Sequence, residues 1–225
     1  DLNPKHARFR ANEQIINNVT TRLLGDIYAE ISFLDHFKFR TSVGTDIIYN
    51  KANQYIPSNI YQSNGKATAS VSVSRSINWL NENTLSWVKS FNDIHSFNVL
   101  GGFTIQQNNT EHVMGSSAEF VNDILLYNNL GSGAVYNQPG SSAIQWNLMS
   151  YLARVNYSLM DKYLFSINGR ADGSSRFGVN NKFAFFPSGS VAWRISEEEF
   201  MQPLRDIVSN LKIRASYGFT GNTEL

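Results

Sequence analysis

The sequence has 225 residues, with 19 Lys and Arg against 18 Asp and Glu, so a net charge of +1 gives it no electrostatic hold on nucleic acid. Only 16% of residues are charged while 13% are aromatic, and Cys is absent, which excludes disulfides, thiol nucleophiles and thiolate metal sites. The opening DLNPKHARFRANEQ carries no apolar run of the signal-peptide kind, and nowhere do 18 apolar residues follow one another as a transmembrane helix needs. A membrane is still open, because barrel strands alternate apolar and polar residues and score as mildly hydrophilic, as the mean hydropathy of -0.28 does here.

The period is 2 almost everywhere. In DIYAEISF, Ile27, Ala29, Ile31 and Phe33 share a face opposite Asp26, Tyr28, Glu30 and Ser32; in FKFRTSVGTDI, Phe37, Phe39, Thr41, Val43 and Ile47 oppose Lys38, Arg40, Ser42, Gly44 and Asp46. The short Asp-containing turn between them predicts a hairpin. Parity favours Phe33 opposite Phe37, which sets Glu30 against Arg40 and Ser32 against Lys38, charges paired on one face and apolar residues on the other. Further along, ASVSVSRSINW alternates Val71 and Val73 with serines, NTLSWVKSF and SFNVLGGFTI flank the turn NDIH, and SYLARVNY and YLFSINGRAD flank a turn around Asp161 and Lys162. In the last pair Tyr151, Ala153, Val155 and Tyr157 share a face with Tyr163, Phe165 and Ile167, against Arg154, Asn156, Ser166, Asn168, Arg170 and Asp172. KFAFFPSGSVAWRI and NLKIRASYG complete about eight strands. In SEEEFMQPLRDIV, Ser196 and Glu199 form a capping-box pattern, and Pro203 limits any helix to a turn or two.

Short turns near Asp35, Asp93 and Asp161 contrast with long connections near 50–66 and 107–146, rich in Asn, Gly, Ser and Gln. That asymmetry is the habit of outer-membrane barrels. Aromatics cluster at strand ends, and the strands run to ten or more residues, as a tilted membrane strand requires. Pattern alone leaves two arrangements open: an apolar face turned to lipid, or one buried as the core of a soluble β-sandwich or barrel that binds glycans with its loops.

No constellation of an enzyme is present. His6, His36, His95 and His112 are scattered, NLGSGAV lacks the strand and helix of a phosphate loop, and GSSAE and PGSSA have no Ser-His-Asp partners. No cofactor or metal site is expected. Arg154, Arg170, Lys212 and Arg214 are candidates to touch a substrate from the polar face, and Tyr127, Tyr136 and Trp146 are candidates to stack on one from loops.

DKYLFSINGRADGSSRFG, FFPSGSVAWRISEEEFM and LKIRASYGFTGN together resemble the SusC/RagA-type TonB-dependent outer-membrane transporters. The resemblance is carried by Asp172, Gly173, Arg176 and Gly178 of DGSSRFG, by Pro187, Trp193 and Arg194, and by Tyr217, Gly218, Gly221 and Asn222. It covers roughly Tyr151 to Asn222, about a third of the chain. It implies an all-β, antiparallel up-and-down transmembrane barrel of 22 strands, of which residues 1–225 form part, with signal peptide, plug and TonB box missing. It further implies a bacterial outer-membrane location, a SusD-like surface lipoprotein as partner, and TonB-driven import of oligosaccharides or peptides. Within that frame Trp193 faces lipid and Arg194 the lumen, DGSSRFG is an outer hairpin turn with Gly173 and Gly178 freeing the backbone, Pro187 breaks or bulges its strand, and Asp172 pairs with Arg176.

Overall fold

The computed structural model describes residues 13–59, 65–178, 182–204 and 206–221. His6 and Asn222 lie outside the described residues. Among the described residues, nine strands occur in the order β1 (Ile15–Phe33), β2 (Phe37–Ile56), β3 (Thr68–Phe91), β4 (His95–Phe120), β5 (Gly133–Tyr136), β6 (Gly140–Leu159), β7 (Tyr163–Ser174), β8 (Phe183–Arg194) and β9 (Lys212–Gly218). They form a single sheet in which sequential strands neighbour one another, β1-β2-β3-β4-β6-β7-β8-β9, with the short β5 paired to β4 off that path. The eight strands on the path take up the stretches marked by periodicity, ASVSVSRSINW and NTLSWVKSF merging into the one strand β3. The strands themselves are longer than the periodicity suggests: β3 and β4 run for 24 and 26 residues, so much of the stretch 107–146 expected as loop is strand. Its Asn, Gln and Thr side chains satisfy one another across the ladder instead, as where the Ser76 and Thr110 hydroxyls lie 3.1 Å apart and Asn108 Nδ2 donates to Ser76 Oγ at 3.3 Å.

The chain forms two compact units. The first comprises residues 1–25, 45–78 and 108–145. Its small apolar cluster of Tyr55, Ala67 and Ala69 is packed by Ile15, Phe120, Leu126, Tyr127 and Leu130, and the Tyr55 hydroxyl bonds the Asp123 carboxylate. Ion pairs tie its strands, Arg22 to Asp46 at 2.8 Å and Arg75 to Glu111 at 2.9 Å, and Lys66, just before β3, reaches Glu119 of β4 at 2.5 Å.

The second unit comprises residues 26–44, 79–107 and 146–225 and contains the three tight turns. All three share one backbone solution, two consecutive left-handed residues ending in Asp: Leu34 and Asp35, Asn92 and Asp93, Met160 and Asp161, with φ between 50° and 57°. The pairing of two left-handed residues suits the twist of a hairpin. Asn and Asp tolerate it, whereas Leu34 and Met160 do so at a cost of about 1–2 kcal/mol each. Neighbouring hairpins are then joined by the carbonyl that closes each turn: His36 accepts from Val88 N at 2.9 Å, Ile94 from Met160 N at 2.7 Å, and Lys162 from Arg194 N at 2.8 Å. Phe33 stacks on Phe37 as the parity argument requires, with ring centroids 5.6 Å apart. The charges differ from expectation: Glu30 pairs with Lys38 at 3.0 Å, and Arg40 lies over the Tyr28 ring at 4.2 Å.

The registers of β6, β7, β8 and β9 keep every charged, amide and aliphatic hydroxyl side chain on one face, which also carries Leu152, Leu164 and Phe186, and leave the other face wholly apolar. Val155–Ile167–Gly189–Tyr217, Tyr157–Phe165–Val191–Ala215 and Leu159–Tyr163–Trp193–Ile213 are successive rungs of one face; Arg154–Asn168–Ser188–Gly218 and Asn156–Ser166–Ser190–Ser216 are rungs of the other. No bulge occurs at Pro187: the β7–β8 ladder runs unbroken through Gly169↔Pro187. The reason is directional. The Pro187 carbonyl accepts from Phe219 N at 3.0 Å, so its own nitrogen points to the β9 side, beyond the last strand residue there, and the ladder with β7 loses nothing.

The glycines of the expected outer turn have another explanation. Gly173 belongs to β7, directly opposite Phe183, whose ring occupies the space a Cβ would need; neither Gly173 nor Gly178 has positive φ. At Gly218 a Cβ would lie 2.6 Å from that of Ser188, its cross-strand partner, while at Gly178 it would meet nothing within 4 Å. Gly218→Ala is therefore expected to cost about 1–3 kcal/mol by overpacking, and Gly178→Ala to stay within about 0.5 kcal/mol. Urea unfolding of the full-length protein, followed by its gel-mobility shift, reads both.

Candidate functional site

The polar face of β6–β9 gathers the chemistry. Arg154 Nε donates to Asn168 Oδ1 at 2.9 Å, directly across the ladder, and Ser166 Oγ donates to Asn156 Oδ1 at 2.7 Å one rung away. Arg170 forms an ion pair with Asp172 at 2.6 Å and reaches the buried Ser150 hydroxyl at 3.0 Å. Asp172 is thus held by Arg170, on its own strand two residues away. The expected Asp172–Arg176 pair does not form, because the Arg176 guanidinium stacks over the Trp146 ring, 4.9 Å from its centroid. The β7–β8 turn is anchored otherwise, by Asn147 N donating to Ser175 Oγ and Ser175 N to the Asn147 carbonyl, at 2.9 and 3.0 Å. Of the sequence candidates, Arg154, Arg170 and Trp146 with its Arg176 neighbour therefore lie along β6 and β7 in the second unit.

Tyr127 and Tyr136 lie in the first unit. Tyr127 packs against the Tyr55 cluster and accepts a hydrogen bond from Asn17 Nδ2 at 3.3 Å. Tyr136, on β5, is exposed and donates to the Gly131 carbonyl at 3.2 Å. The structure does not join them to the arginines in one site.

A second constellation, which sequence reasoning took for a helix start, is centred on Glu198. The segment after β8 forms two short 3-10 helices, Ile195–Glu197 and Glu199–Leu204, the second containing Pro203. No capping box exists: the residue before the first helix is Arg194, and the buried Ser196 hydroxyl has no hydrogen-bond partner among the described residues. Glu198 instead turns back on the strands, where it accepts from the Trp193 indole N–H at 3.0 Å, the Tyr163 hydroxyl at 2.8 Å and Lys162 Nζ at 3.2 Å. These donors hold its carboxyl below the ordinary value near 4.5, Trp193 contributing most, then Tyr163 and Lys162. The run from Trp193 to Glu198 is thus a clamp that fastens the β8–β9 connection onto the β6–β7 turn. Trp193 and a carboxylate five residues later is the sequence signal for it.

The opposite face of β6–β9 is apolar along its whole paired length, and on β3 Leu85 and Trp87 continue it, linked through Phe97 and Tyr157 to Phe165. Asn83 and Asn81 share that face of β3 by alternation. They are satisfied in a chain: Thr41 Oγ1 donates to Asn83 Oδ1 at 2.8 Å, Asn83 Nδ2 to Asn81 Oδ1 at 2.7 Å, and Asn81 Nδ2 to the Ser42 carbonyl at 2.9 Å.

Comparison with known proteins places this architecture. No protein-family model matches the chain. It is 35% identical over 216 residues, 96% of its length, to the TonB-dependent receptor P3 of Formosa agariphila, and 44% identical over 78 residues to the TonB-dependent receptor SusC of Bacteroides thetaiotaomicron. The chain is a segment of a SusC/RagA-type TonB-dependent receptor barrel. The segment spans about a fifth of the relatives it matches over most of its length (21% of P3), and 35% of it aligns with 8% of SusC. Its fold is that of the barrel in the structure of the RagAB peptide transporter, with a TM-score of 0.85 over 97% of this chain and 24% of that one, at 24% identity. The likeness to P3 extends well beyond the motif-bearing third, into the strands that the sequence marks by alternation alone.

The Glu198 clamp has a definite pH signature. A depressed carboxylate contributes stability that is complete above the ordinary pKa and is lost as pH falls through the lower folded value. Glu198→Gln is expected to be less stable than the native receptor at neutral pH, with the gap closing below about pH 4.5. Thermal unfolding of both proteins across that range checks it.

Proposed function

We propose that the full receptor is an outer-membrane nutrient importer energised through TonB, and that this chain is part of its barrel wall and external loops. One observation carries the reading: the apolar rungs of β6–β9 hold no charged, amide or aliphatic hydroxyl side chain, yet protein does not cover them. Ile167 is 69% exposed and Ile213 is 59% exposed. From the Tyr163–Trp193 rung to the Gly173–Phe183 rung is ten residues along β7. That is about 33 Å of strand and, at the tilt of a barrel, about 25 Å of height, the thickness of an outer-membrane apolar band. Aromatics mark both limits, Tyr163 and Trp193 at one and Tyr151 beside Phe183 at the other.

In this reading lipid replaces the missing core, the polar face lines the lumen, and the three-residue turns face the periplasm. A soluble glycan-binding module would leave the same face in water. The remaining strands of a 22-stranded barrel, the plug and the TonB box belong to other parts of the receptor. The RagAB structures are named for a peptide transporter, and a SusD-like lipoprotein as lid, with oligosaccharide or peptide as cargo, follows by analogy with that system and with SusC. Among the candidates, Arg154 and Arg170 line the path, Trp146 with Arg176 stands at its mouth, and Tyr127 and Tyr136 belong to the external loops.

Ile167→Arg is expected to destabilise the receptor by about 2–4 kcal/mol, and Ser166→Arg, one residue away on the other face, to be mild. Folding yield and urea midpoint in detergent or lipid provide the comparison. Equal tolerance at both positions would defeat the assignment of the apolar face to lipid.

A further inference from the structure

The polar face of β6–β9 is strongly one-sided in charge. Within the paired register it carries Arg154, Arg170, Arg194, Lys212 and Arg214 against the single carboxylate of Asp172, although the chain as a whole is nearly neutral. Asp172 is committed to Arg170. At the turn end Arg194 lies directly opposite Lys212, and Arg214 follows two residues along on the same face. Like charges paired across a ladder repel. Even so, the side chains of these three cations have no hydrogen-bond or ion-pair partner among the described residues. The nearby acid Glu198 is taken by Lys162, Tyr163 and Trp193.

Arg214 also lines a concavity of about 410 Å³, whose other walls include Ser96, Asn98, Asn156, Ser166 and Ser190. The volume is that of a small-ligand cleft. The guanidinium shares this concavity with those hydroxyls and amides and with apolar residues such as Leu164 and Ala192, so donors are offered to an oxyanion and no carboxylate opposes it. We propose that this face is a path for an anionic cargo, an oligomer bearing carboxylate or sulfate groups, and that Arg214 is a point of contact along it. The proposal rests on the import reading and names the charge class of what is imported.

The test uses cells carrying the full-length receptor, with receptor-deleted cells as control and surface receptor level measured by antibody. Four probes are offered: hexagalacturonate and its full methyl ester, and hexaglutamate and hexaglutamine. Receptor-dependent uptake is expected to favour the charged member of one pair, and the pair that shows the preference identifies saccharide or peptide as the source. Arg214→Gln is expected to lower that uptake about tenfold, with Arg214→Lys keeping most of it and the neutral probe unaffected. Lys212→Gln, at an exposed position, serves the same purpose if Arg214→Gln does not assemble. Equal uptake of charged and neutral members, or equal loss of both on substitution, would overturn the proposal and mark the cations as partners of neighbouring protein. Uptake of all four probes independent of the receptor would instead overturn the import reading beneath it.

Discussion

The structure depends on one constraint: a face of apolar side chains that no part of the described chain covers. The pleat sends alternate residues to opposite faces, so each strand must satisfy two solvents at once. In β6–β9 the apolar side is kept strictly, with Val155, Ile167 and Tyr217 on it, while the other side carries Asn156, Ser166, Ser190 and Ser216 together with a few apolar residues such as Leu152 and Leu164. In water the first set would drive the sheet to fold against a partner layer. In lipid it needs none, and the sheet is stable as a single layer provided every backbone group finds a ladder partner. Even the polar exception on that side of β3 follows the rule, since Thr41, Asn83 and Asn81 hydrogen bond one another.

Given a single layer, stability along the turn end comes from links between neighbouring hairpins. The closing carbonyls of His36, Ile94 and Lys162 each accept a backbone N–H from another hairpin, Val88 and Arg194 donating from strands and Met160 from a turn. Glu198 adds the side-chain counterpart, drawing Lys162, Tyr163 and Trp193 to one carboxylate. The same Trp193 belongs to the aromatic limit of the apolar band, so the clamp and the band share a residue. On the other face Arg154 and Arg170 are internally paired, while Arg194, Lys212 and Arg214 have no ion-pair partner among the described residues.

Most of the fold was legible because its rule is local. Alternation assigned the faces of β6 and β7, and Asp35, Asp93 and Asp161 marked the tight turns, since Asp is among the few side chains that accept left-handed backbone. What was not legible depended on contacts across strands. Composition made 107–146 read as loop, but Asn and Gln in β4 are paired with β3, and a polar strand beyond the apolar band has no need of alternation. Pro187 read as a break because sequence does not say which neighbour its nitrogen faces. Asp172 was assigned to Arg176, though Arg170, two residues away on the same face of the strand, reaches it first and Trp146 claims Arg176. Ser196 and Glu199 had the spacing of a cap, while the working carboxylate was Glu198, whose partners lie on two other elements.

The most direct test of where the two faces point is spin-label accessibility at Ile167 and Ser166, adjacent residues on one strand. The chain has no Cys of its own to interfere, so single Cys labels in the full-length receptor, with any other cysteines removed and reconstituted in lipid, report each face separately. The account requires the label at Ile167 to be accessible to oxygen and shielded from a water-soluble nickel chelate, with the reverse at Ser166. Free access of the chelate to Ile167 would contradict it, because the apolar rungs would then face water and the membrane wall would not exist.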